Sequence, residues 1–219
     1  ATYVTTTNSD GTFILGIGDS TQTRIIAESG FNVTTNDSDS FQMSLEDSVT
    51  EQNVVISPLS TVLDIDSRFT FASLKEKLGL DSNFMIRFDD PYSNIADPQL
   101  NNAAKVNTQL LIMLETLSVL QSESGASTLS AGNRILDEIY ERSSNVETSL
   151  GDTTLVRDVI LDLELPNYEV TNLKLENLSG SLSSYLQKVY VNENNEQAYF
   201  SMTARDYLVP MLKSILEDT

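Results

Sequence analysis

The chain has 219 residues with 32 acidic and 13 basic side chains, a net charge of −19, and no histidine, cysteine or tryptophan. This composition excludes imidazole acid–base chemistry, thiolate nucleophiles, soft-metal sites and disulfides. It also sets aside DNA, RNA and anionic membrane faces, which a field of this sign repels. An apolar fraction of 40% is ample for a packed core. No apolar run approaches the length of a spanning helix, so direct membrane insertion is not expected. The N-terminus shows no basic segment followed by an apolar stretch. Absence of cysteine fits a bacterial exterior and a cytosolic setting equally.

Residues 1–56 read as β. The β-branched and aromatic run Tyr3-Val4-Thr5-Thr6-Thr7 precedes the turn signal Asn8-Ser9-Asp10-Gly11. Thr12-Phe13-Ile14-Leu15 then predicts the second strand of a hairpin. Gly16 and Gly18 break that strand, Thr23-Arg24-Ile25-Ile26-Ala27 resumes it, and Ser29-Gly30 turns the chain before Phe31-Asn32-Val33. Residues 34–40 are small and polar and predict a loop, whereas Phe41-Gln42-Met43-Ser44-Leu45 alternates between apolar and polar. Four or five short strands make an incomplete sandwich, and the chain begins abruptly on the first, which predicts that the natural protein continues upstream.

From Ser57-Pro58 the period becomes helical. Ser57 as N-cap with Pro58 at the first position starts one helix. Thr70 caps a second, which Gly79 ends. Residues 98–122 carry the widest apolar stripe and predict a central, largely buried helix. Further helices are expected over 128–143, from Asp152 up to Pro166, over 170–192, and over 195–217 with an interruption at Pro210. The expected fold is α+β, a small antiparallel β-sandwich portion over residues 1–56 followed by a helical bundle over 57–219.

Several strings carry a resemblance. Thr7-Asn8-Ser9-Asp10-Gly11-Thr12-Phe13-Ile14-Leu15, Glu28-Ser29-Gly30 and Val54-Val55-Ile56-Ser57-Pro58-Leu59-Ser60-Thr61-Val62-Leu63 come in that order. Leu78-Gly79-Leu80, Arg87-Phe88-Asp89-Asp90-Pro91 and Ala103-Ala104-Lys105-Val106-Asn107 follow. Together they resemble a module of very large bacterial extracellular or cell-surface proteins that carry cadherin-like or RTX-type repeats. In that module a strand-turn-strand similar to carboxypeptidase-regulatory-like β-sandwiches leads into helices. The likeness covers residues 1–122; Asp90 is inserted before Pro91, and Ser60 stands where Thr is usual. The resemblance implies an extracellular or cell-surface setting, a structural or adhesive role beside neighbouring domains of a larger chain, calcium nearby, and no catalytic residues.

The candidate metal ligands are Asp10 in its hairpin turn and the oxygen cluster Asn36, Asp37 and Asp39, whose carboxylate and amide oxygens suit a hard cation. The competing reading for Asp10 is a plain Asp-Gly turn, and for the cluster a solvated loop. No EF-hand glycine or bidentate glutamate accompanies the cluster. Asp64 and Asp66 with Arg68 suggest a local ion pair at a helix end, and Asp89 and Asp90 suggest capping or chain reversal. Ser184 and Lys188 lie at helical spacing and mark one exposed face rather than a Ser/Lys pair. Gly16-Ile17-Gly18 lacks the remainder of a dinucleotide fingerprint. Sequons at Asn32, Asn36 and Asn177 matter only in a eukaryotic secretory pathway.

These features point to a non-enzymatic structural or adhesion module, stabilised by calcium, with a surface protein or glycan as partner. One alternative is a peptide- or glycan-binding groove between helices. Another is a hydrolase that uses only carboxylates, which lacks the tryptophan usual in carbohydrate sites.

Overall fold

The computed structural model describes residues 4–6, 8, 12–14, 23–27, 30–32, 37–39, 43–47, 54–94, 96–121, 128–142, 147–163, 165, 168–189 and 207–218. The strands among the described residues are β1 (Thr23–Ala27), β2 (Gly30–Asn32), β3 (Asp37–Asp39) and β4 (Met43–Asp47). Seven helices follow among the described residues: α1 (Pro58–Ile65), α2 (Phe71–Lys77), α3 (Pro98–Gln121), α4 (Thr128–Glu141), α5 (Thr153–Asp162), α6 (Asn172–Gln187) and α7 (Val209–Glu217).

The architecture is mainly helical and corrects the expected sandwich. Strands β1 and β4 form one antiparallel pair, β2 and β3 another, and no β-sandwich exists among the described residues. A sandwich needs two multi-stranded sheets that bury facing apolar surfaces about 10 Å apart. Here Ile25 and Leu45 stand opposite each other in the β1–β4 ladder and are both buried, but the element packed on β4 is helix α1. Alternation in the sequence therefore marks a strand whose buried face packs on a helix, with no facing sheet across it among the described residues. The stretch expected as a loop over 34–40 contains β3, which pairs with β2 from Gly30↔Asp39 to Asn32↔Asp37. Residues 4–6 and 12–14, expected as strands, lie in no strand, although the Asn8 N–H reaches the Thr12 carbonyl at 2.7 Å and closes a turn.

The helix boundaries follow local chemistry. Ser57 caps α1 in extended conformation; its hydroxyl accepts the Ser60 N–H at 3.2 Å, and the Ser60 hydroxyl accepts the Ser57 N–H at 2.8 Å. This reciprocal box satisfies two donors that the first helical turn otherwise strands, and Pro58 has no N–H to strand. Thr70 and Ser73 repeat the device at α2. Helix α2 ends through Gly79 at φ +64°, with the Leu80 N–H on the Lys75 carbonyl at 2.9 Å and the Gly79 N–H on that of Glu76 at 3.3 Å. Glycine suits this positive φ, and a Cβ there would also displace the exposed Glu147 side chain, whose Cδ it would meet at 2.3 Å. Asp152 and Thr171 cap α5 and α6 through side-chain oxygens. Helix α7 begins at Val209, so Pro210 falls in its first turn, where a missing N–H costs little, while the part of the expected helix over 195–206 lies outside the described residues.

Helix α3 is the axis of the bundle. Residues 106–110 are buried without a break, more than one helical turn, so every face of the helix is covered there. Helices α1, α4 and α7 pack on it, α5 joins α4 to α6, and α6 meets α7. The core runs from Leu59 and Val62 through Leu110, Met113, Leu114 and Leu117 to Leu182, Leu186 and Leu212. The approach of α4 to α1 is close at Gly132, where a Cβ would lie 2.6 Å from Ile65 Cδ1.

Candidate functional site

Two of the residues proposed as metal ligands, Asp10 and Asn36, lie outside the described residues. Asp37 and Asp39 begin and end β3, and their side chains lie outside what the structure describes. Among the described residues no group of three or more acidic side chains is gathered closely enough to hold a metal ion. The notable polar chemistry lies instead on α1 and α3, inside the protein.

Helix α1 binds the strand ladder through side chains on two successive turns. The Ser44 N–H of β4 donates to Thr61 Oγ1 at 3.0 Å, and the Ser44 carbonyl accepts from Ser60 Oγ at 3.3 Å and Thr61 Oγ1 at 3.4 Å. One turn further, Asp64 Oδ2 accepts from Arg24 Nε at 2.8 Å, from an Arg24 terminal nitrogen at 2.7 Å and from Ser44 Oγ. The Asp64 side chain is 1% exposed and that of Arg24 is 49% exposed. Asp64 Oδ1 is buried with no hydrogen-bond partner among the described residues. Asp64 thus does not join the local ion pair expected of it. It spans 40 positions to Arg24, whereas Asp66 does pair with Arg68, which also reaches Asp137 on α4. The Arg68 guanidinium lies 4.8 Å from the centre of the Tyr140 ring, and Phe69 meets that ring edge-on.

Helix α3 serves its neighbours in the same way. Asn107, 2% exposed, accepts the Leu59 N–H of α1 at 3.1 Å and donates to the Tyr92 hydroxyl at 2.8 Å. Gln109 donates to the Leu186 carbonyl near the end of α6 at 2.9 Å. On α6, Ser183 donates to the Gly151 carbonyl at 2.6 Å and shares a hydrogen bond with Thr153 at 2.8 Å. Each of these side chains satisfies a backbone group of another element that burial would otherwise penalise. Asp89 and Asp90 accept the N–H groups of Met85 and Tyr92. Ser184 and Asn177 are exposed on α6, and Lys188 is exposed at its C-terminal cap. Sequence reasoning missed Arg24, Ser44, Thr61 and Asn107. For Asn107 a signal existed, an amide set between Val106 and Leu110 on an apolar helix.

A seam of like charge runs between α4 and α5. Arg142 lies 3.5 Å from Asp152 and 3.3 Å from Asp158, both of which it partly neutralises. Glu138 has its carboxyl pushed above the ordinary range, chiefly by burial, then by Asp158, Asp162 and Glu141, with Arg142 opposing. Asp66 is held below its ordinary range by its hydrogen bond from Arg68, against a smaller opposing effect of burial.

Arg24→Ala is expected to destabilise the fold more than Asp64→Ala, although Arg24 is the more exposed partner. The first strands a buried carboxylate, whereas the second leaves a half-exposed guanidinium that water can solvate. The difference should reach about 1 kcal/mol in urea unfolding; equal losses, or the reverse order, would refute the anchoring role of Asp64.

The two shifted carboxyls act in different pH windows. Glu138 binds its proton more tightly folded than unfolded, so its contribution rises as pH falls from 7 towards the ordinary glutamate value of about 4.3. Asp66 contributes fully above the ordinary aspartate value of about 3.9 and loses its contribution as pH falls through its depressed value. Glu138→Gln should therefore raise the melting temperature at pH 7 and narrow its advantage near pH 4.5, while Asp66→Asn should lower the melting temperature at pH 7. An advantage for Glu138→Gln that grows on acidification would contradict the assignment.

No protein-family model, curated protein or solved structure matches this chain.

Proposed function

We propose that this chain is a non-enzymatic structural module of a larger bacterial surface or secreted protein, placed beside neighbouring domains and stabilised by divalent cations. The observation that carries the reading is the use to which interior polar groups are put. Thr61, Asp64, Asn107, Gln109 and Ser183 each hold a different element of the chain, through that element's backbone or through Arg24 in the case of Asp64. Such groups over-determine the relative positions of α1, α3, α6 and the ladder, which is what a load-bearing or spacing domain requires.

The cation part of the reading rests on charge. A net charge of −19 opposes compaction, and divalent ions relieve that repulsion more effectively than monovalent ions when they bridge carboxylates. A surface or extracellular location supplies calcium at the concentrations such weak sites need.

The test is thermal unfolding of the metal-stripped chain across a calcium series, run beside a panel of short peptides and oligosaccharides. Saturable stabilisation by calcium is expected, weakened in the Asp37→Asn/Asp39→Asn double variant, with no shift from the panel. No calcium effect at about millimolar concentration would remove the cation from the account. A saturable shift from a peptide or sugar would replace the structural reading with a ligand-binding one.

A further inference from the structure

Helix α5 packs more extensively on α6 than on α4. Polar bonds reinforce that pairing: Ser183 of α6 donates to the Gly151 carbonyl and shares a hydrogen bond with Thr153, and Gln187 donates to the same carbonyl at 2.8 Å. Towards α4 the polar contact is weaker. Arg142, just past the end of α4, reaches Asp152 and Asp158 only at 3.5 Å and 3.3 Å, longer than a close charged hydrogen bond.

Carboxylates crowd the seam between α4 and α5 at the helix ends least suited to them. Glu138 and Glu141 stand in the last turn of α4, Asp162 closes α5, and neither last turn holds a basic residue. The negative end of each helix dipole disfavours these charges. Asp158 and Asp162 lie one turn apart, on one face of α5. Glu138, half-buried, feels both of them from α5 and Glu141 from its own helix, with Arg142 opposing. Helices α1 and α3, the other elements packed on α4, add no charge to that set among the described residues.

We infer that the seam between α4 and α5 is a proton-dependent latch: with Glu138 charged, α5 and α6 open from α4 as one unit, and a proton on Glu138 holds them closed. Such an opening is smaller than global unfolding, because α5 and α6 keep their contact with each other while α3 stays in place. Opening returns Glu138 to water and takes it away from Asp158 and Asp162, so its ordinary affinity for a proton is restored. The closed form therefore binds the proton more tightly than the open form. Closure is strongest below the ordinary glutamate value of about 4.3 and weakens as pH rises towards 7.

The experiment is native-state amide exchange of the full chain at about pH 7 and about pH 5, on either side of the weakening, with rates corrected for intrinsic exchange. Protection of Val159 on α5 and Leu182 on α6 should rise severalfold at the lower pH relative to that of Leu114 on α3. Glu138→Gln should give the raised protection at both pH values. Asp162→Asn, at an exposed position, should raise it in part at the higher pH. Val159 and Leu182 that follow Leu114 throughout overturn the latch, since the seam then opens only with the whole molecule. A pH response that survives Glu138→Gln overturns the assignment to that residue, and a response in Val159 without Leu182 overturns the single unit.

Discussion

The position of the β1–β4 ladder depends on how helix α1 is held at both of its faces. Towards the core, Asn107 of α3 takes the Leu59 N–H, a donor that the first turn of α1 leaves without an intrahelical acceptor. Towards the strands, Ser60, Thr61 and Asp64 take the Ser44 backbone and hydroxyl and the Arg24 guanidinium. Apolar contact alone would let a helix of eight residues slide and rotate. Directional bonds at both faces fix its position, and the ladder inherits that position.

The arrangement has a cost that the rest of the core offsets. Burying Asp64 with one oxygen unpartnered among the described residues is unfavourable, and so is burying the amides of Asn107 and Gln109 on α3. The large apolar side chains around them, including Leu110, Met113, Leu114 and Leu117 at 0% exposure, supply the compensating hydrophobic term. A core built this way trades some stability for definition of register. The acidic seam at Glu138, Asp158 and Asp162 is a second expense, eased by Arg142.

Local chemistry was legible in the sequence where one or two residues decide it. Ser57-Pro58, Thr70 and Asp152 announced helix starts, and Gly79 announced an end, because capping satisfies backbone groups within four residues. The breadth of the apolar stripe over 98–122 announced a buried helix. Long-range partnership was not legible. Alternation in Met43-Ser44-Leu45 says that one face is buried, and it cannot say whether a sheet or α1 does the burying. The pairing of Arg24 with Asp64 across 40 positions had a nearer rival in Arg68, which local reasoning preferred. Of the proposed site, Asp10 and Asn36 fall outside the described residues, and Asp37 and Asp39 proved to be strand residues where a loop was expected.

The account claims that α1 transmits position from α3 to the strands, and one measurement addresses this directly. Native-state amide exchange of the Ile25 and Leu45 pair should be compared between the natural chain and Asn107→Ala, with the Leu114 amide of α3 as the internal reference. Asn107 bonds to α1 and Tyr92, not to the ladder. Faster exchange in the ladder with Leu114 still protected is the predicted result. Ladder protection unchanged while α1 loosens would contradict the claim and leave the strands to stand on their own contacts.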